Sequence, residues 1–124
     1  MSFDWSDYFR LAKELAGQST MPAGHEARLR SAISRAYYAA FCLAKNHLRD
    51  KEGHPIPRED VHKWVRDQFK NSLEPNRNQV GHDLNRLRLG RNKADYDDSV
   101  PMLPLTTTKA LKRAQRILNT LASL

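Results

Sequence analysis

The chain has 124 residues, enough for one domain around one modest core. No apolar run approaches the roughly 20 residues of a membrane-spanning helix, the opening MSFDWSDYFR lacks the basic-then-apolar layout of a secretion leader, and the one cysteine, Cys42, excludes an internal disulfide. A single cytoplasmic domain over residues 1–124 is expected. The balance of 21 basic against 14 acidic residues leaves a net charge of +7, which favours polyanionic partners, nucleic acid first among them.

Helical periodicity organises the whole chain. A first helix is expected from about Asp4 to Ala16, with Trp5, Tyr8, Phe9, Ala12, Leu15 and Ala16 on one face and Gly17 as its stop. Gln18 to Gly24 reads as a loop, because Met21-Pro22 opposes helix continuation. A long central helix from about Gly24 to Glu52 follows. Its stripe of Leu29, Ile33, Tyr37, Ala40, Phe41, Ala44 and Leu48 is thinned by alanines, so neighbouring helices can approach closely. Gly53, Pro55 and Pro57 turn the chain.

A third helix is expected from Pro57 or Arg58, with Glu59 and Asp60 in its first turn and Val61, Trp64, Val65, Gln68, Phe69 and Leu73 at the helical step. Glu74-Pro75-Asn76 should end it. A fourth runs from about Asn78 to Tyr96 and aligns Val80, Leu84, Leu87, Arg91 and Ala94; Gly81 and Gly90 each weaken it by about 1 kcal/mol and invite a bend. After a connection whose Val100, Met102 and Leu103 pack back on the bundle, one of Thr106 to Thr108 caps a last helix with Leu111, Ala114, Leu118 and Leu121 on its inner face. Nothing alternates with period two. The fold class is all-α, an up-and-down bundle of four to five helices.

Arg91 is the unusual residue of the fourth helix, a cation on an apolar stripe. Asp95, four residues on, lies within pairing distance across one turn. A structural ion pair is the plain interpretation of that spacing; an anion or phosphate site, with Arg35 as a second cation, is the sharper one. Tyr37 belongs to the core stripe and Tyr38 lies off it, facing a second interface. Ser34 is expected to bond back to its own helix. The five histidines (His25, His47, His54, His62 and His82) never fall three or four apart, so neither a metal site nor any other cofactor is expected, and His62 and His82 are taken as ordinary bundle or surface residues. On the last helix, Lys109, Lys112, Arg113 and Arg116 form a basic ridge opposite the leucines, suited to a phosphate backbone or to solvent alone.

Two motifs carry a resemblance. ISRAYYAAF (Ile33 to Phe41), followed downstream by LRLGRNKADYD (Leu87 to Asp97), resembles the HEPN superfamily, specifically its small single-domain bacterial and archaeal branch with S-R-x-Y-Y-A and R-x-x-A-D-Y motifs. The resemblance implies a helical bundle that forms a homodimer and acts on or around RNA. Many such domains are metal-independent ribonucleases of toxin–antitoxin or defence systems, and others pair with a small nucleotidyltransferase or serve as scaffolds. The family's catalytic signature is an arginine, usually followed by a polar residue, with a histidine four to six positions on. Arg91 and Asn92 match its first half, but Tyr96 stands five after Arg91. An unperturbed tyrosine, with a pKa near 10, is a poor substitute for a histidine at neutral pH.

The resemblance therefore implies an RNA-associated or nucleotidyltransferase-partnered homodimer without the complete signature. In it Arg91, Asn92, Asp95 and Tyr96 face Ser34, Arg35 and Tyr38, and Lys109, Lys112, Arg113 and Arg116 serve the nucleic-acid backbone. The alternatives are an active metal-independent endoribonuclease toxin, using Arg91 with Tyr96 or a distant histidine such as His82, and a non-catalytic interaction module. An antitoxin is a further expected partner.

Overall fold

A computed structural model describes residues 3–17 and 24–124. The expected loop from Gln18 and its Met21-Pro22 break lie outside the described residues. Among those described there are five helices: α1 (Ser6–Gly17), α2 (His25–Asp50), α3 (Val61–Lys70), α4 (Pro75–Tyr96) and α5 (Leu103–Ser123). None of them is long and apolar enough to cross a membrane.

The 26 residues of α2 make it the post of the bundle, and it packs against all four other helices. Its alanine-thinned stripe explains this. Ala32, Ala36, Ala39, Ala40 and Ala44 have no exposed surface, and Ile33, Tyr37 and Leu48 fill the space between them. From the other helices, Phe9, Val65, Phe69, Leu84, Leu87, Ala114 and Ile117 close the core. Asp4 caps α1, accepting from the Ser6 backbone N–H at 3.0 Å.

Three helix starts differ from expectation. Asp60 adopts a left-handed conformation, φ 52°, so the chain cannot run helically from Pro57, and α3 opens only at Val61. At the other end α3 stops at Lys70, leaving Leu73 fully exposed instead of on the inner face. Pro75 begins α4 three residues before Asn78, because a first-turn proline gives up a backbone N–H that the helix would leave unbonded anyway. The last helix opens at Leu103, after Met102 turns left-handed at φ 52°; Met102 is thereby exposed, while Leu103 is buried. Thr107 and Thr108 then lie inside α5 and donate back to the Leu103 and Pro104 carbonyls, at 2.8 and 3.1 Å, so neither is the cap.

Side chains from other helices hold α3 and α4 in place. Arg30 of α2 reaches the carbonyls of Ala94, Asp97 and Asp98, satisfying acceptors that the end of α4 leaves open. At the start of α4, Asn78 donates to the Lys70 carbonyl at 2.6 Å and Arg77 to the Gln68 carbonyl at 3.3 Å, clasping the end of α3. Arg77 also pairs with Glu52, which accepts a further bond with His47 at 3.1 Å.

Candidate functional site at the junction of α2, α3 and α4

Arg91 leaves the inner face of α4 and lays its guanidinium over two aromatic rings of α2, 5.3 Å from the Tyr37 centroid and 5.4 Å from that of Tyr38. Its Nη1 is 3.7 Å from Asp95 Oδ2, the pair that the i,i+4 spacing anticipates. Asp95 Oδ2 also accepts from Ser34 Oγ at 3.3 Å, so Ser34 bridges to α4 instead of bonding back to its own helix. The Nε atoms of Arg91 and Arg88 are buried without a hydrogen-bond partner among the described residues. For Arg91, the aromatic faces supply the compensation that an acceptor would otherwise give.

The third helix adds what the sequence did not disclose. His62 stacks on Phe41 with ring centroids 3.9 Å apart and only 6° between planes, and its Nδ1 is 2.6 Å from the Tyr37 hydroxyl. Burial holds the His62 pKa below the ordinary histidine value, and the positive charges of Arg91, Lys45, Arg66 and Arg88 push it the same way. Burial pushes Tyr37 up to about 12, with Arg91 opposing. A phenol so reluctant to ionise keeps its proton, and where its hydroxyl donates, His62 Nδ1 is the acceptor. In the neutral ring the second nitrogen, Nε2, then carries the hydrogen. His62 is thus held towards its neutral form at the edge of a cationic cluster, with Nδ1 engaged by Tyr37.

The expected site residues divide. Arg91, Asp95, Ser34 and Tyr38 come together, with Asn92 half-buried beside Arg91 on α4. Arg35 does not join them: a position next to Ser34 on a helix points about 100° away, and its guanidinium lies over the Tyr8 ring of α1 at 5.2 Å. Tyr96 is 74% exposed at the last position of α4 and lines a groove with Glu26, Arg30 and Asp95. His82 is exposed on α4. Lys109, Lys112, Arg113 and Arg116 do line one shallow groove on α5. Arg116, however, gives both arms of its fork to Asp83 of α4, at 2.6 and 2.7 Å, which removes it as a free phosphate contact. Among the described residues, no group of three or more His, Cys, Asp or Glu side chains is placed to hold a metal ion. Burial raises the Cys42 thiol, which keeps it from being a ready nucleophile.

A family model described as HEPN domain matches residues 19–124. The chain belongs to the HEPN family. The match spans α2 to α5, and so every residue of the junction. No curated protein and no solved structure matches the chain. This HEPN domain has an all-α fold, and the histidine near Arg91 comes from α3.

Proposed function

We propose that this HEPN domain binds RNA as a homodimer, with Arg91 at the centre of a phosphate site where α2, α3 and α4 meet. One observation carries the reading. Arg91 lies over the Tyr37 ring whose hydroxyl meets His62, and Arg88, Arg66 and Lys45 add positive charge at that histidine, whereas the carboxylates paired there among the described residues are two, Asp95 with Arg91 and Asp67 with Arg66. Such an excess of cations around a hydrogen-bond donor suits an anion. Lys109, Lys112 and Arg113 of α5 supply a second backbone contact. HEPN domains commonly dimerise, which supports two such sites per assembly. Its setting on this reading is a toxin–antitoxin or defence pair, with an antitoxin or small nucleotidyltransferase as protein partner.

The reading is one of holding RNA, with His62 Nδ1 engaged by Tyr37. Titrating a short fluorescent RNA at several salt concentrations tests this. Four released counterions give a log–log slope of about −3 for single-stranded RNA. Arg91→Ala is expected to weaken binding about tenfold and to flatten that slope. Equal affinity of the variant contradicts the reading. RNA broken down by the wild type and spared by Arg91→Ala, with growth arrest on induction, makes the protein an endoribonuclease. A variant that melts earlier while no RNA is bound by either form makes it an interaction module.

A further inference from the structure

We propose that anion capture at this junction is coupled to proton uptake by His62, so that RNA phosphate binds more tightly as pH falls through neutrality. The inference rests on the RNA-phosphate reading and adds to it a regulated ligand state.

The geometry fixes the ring, and cations outnumber carboxylates around it. One face of His62 lies on Phe41, the Tyr38 ring stands edge-on at 82°, and Nδ1 meets the Tyr37 hydroxyl at 2.6 Å. The positive groups acting on it are Lys45 from α2, Arg66 from its own helix, and Arg91 and Arg88 from α4; against them stand two carboxylates, Asp95, 3.7 Å from Arg91, and Asp67, 4.0 Å from Arg66. Burial and those four cations together hold the empty site's imidazole neutral.

A phosphate lying among Arg66, Arg88 and Arg91 reverses the balance. Its negative charge offsets the cations at the ring, and the imidazolium becomes the favoured form. The proton goes onto Nδ1. Tyr37, which keeps its own proton, turns its hydroxyl from donating to Nδ1 to accepting from it. His62 then adds a further positive charge beside the ligand. Arginine, lysine and an internal phosphodiester do not titrate near neutrality, so the pH dependence falls to histidine.

A 2′-O-methylated fluorescent oligouridylate, which cannot be cleaved through its 2′-oxygen, is the probe. Its affinity is measured at constant ionic strength at pH about 6 and about 8. The wild type is expected to bind about three- to tenfold more tightly at the lower pH, within the limit of about tenfold per pH unit that one coupled proton sets. His62→Gln should keep much less of this difference. In the wild type, the NMR titration midpoint of the His62 ring should rise when the probe is added, a readout that does not depend on how well the variant folds. Arg91-dependent binding with no pH difference, or a His62 midpoint that the probe leaves unmoved, overturns the coupling. Absence of Arg91-dependent binding at both pH values instead overturns the RNA reading beneath it, and the coupling falls with it.

Discussion

Gly81→Ala is expected to lower the melting temperature by about 10 °C. Helix propensity alone argues the reverse, since alanine is favoured over glycine by about 1 kcal/mol inside a helix. Packing decides the sign. A Cβ at Gly81 would lie 2.7 Å from Lys70 Cβ and inside the contact distance of the Lys70 backbone N and Cα. Backbone atoms cannot swing aside as a side-chain tip can. The end of α3 is also held by Asn78 and Arg77 of α4, so it cannot retreat without losing those bonds. Forcing the helices apart costs about 3–4 kcal/mol, a net loss of about 2–3 once propensity is counted. Gly90 is the internal control. There a Cβ meets only Ile33 Cγ2, at 3.9 Å, so Gly90→Ala is expected to be neutral or up to about 1 kcal/mol stabilising. Thermal melts of both variants check the contrast; equal melting temperatures would mean that the α3–α4 contact is not tight at Gly81. Because α3 carries His62 and Arg66, Gly81→Ala should weaken RNA binding as well, without touching a residue of the site.

Arg116→Ala is expected to cost about 2–3 kcal/mol of stability. Asp83 is only 1% exposed and its carboxylate takes both arms of Arg116; without them one bond, from Gln79 at 3.1 Å, remains. The cost sits below the full value for stranding a buried charge because Arg116 is itself half-exposed, so water can reach part of the gap. Replacing both partners by apolar residues, Asp83→Leu with Arg116→Met, should recover most of the loss, since no charge is then left stranded. Denaturant melts of the single and double variants measure this. A harmless Arg116→Ala would return Arg116 to the basic ridge as a free cation.

The helices were legible because their apolar positions recur at three and four, and the alanines of α2 announced a post approached from several sides. The starts of α3 and α5 were not, because Asp60 and Met102 take left-handed conformations that neither residue type signals strongly. Pro75 was misread for a related reason: a proline reads as a break, and here the break and the start of α4 are the same residue. At the site, the Arg91–Asp95 pair was visible because both residues share a helix and a spacing. His62 was invisible by the same logic. It meets Tyr37 across 25 positions of sequence, and no periodicity within α3 says which face of α2 it will stack on. Arg116 and Asp83, 33 positions apart, were hidden in the same way. Gly81 gave a partial signal: a glycine inside a helical pattern, when kept for a reason, marks either a bend or a close neighbour, and here it marks the neighbour.

Chemical-shift mapping with the 2′-O-methylated oligouridylate asks directly whether RNA meets the domain at Arg91. The expected pattern centres on the side chains of Arg91, Arg88, Arg66, Tyr38 and His62, with a second, weaker set at Lys109, Lys112 and Arg113, and it disappears at the first set in Arg91→Ala. Shifts confined to the α5 ridge, or scattered over the surface while Arg91 and His62 stay still, would contradict a phosphate site at the junction of α2, α3 and α4.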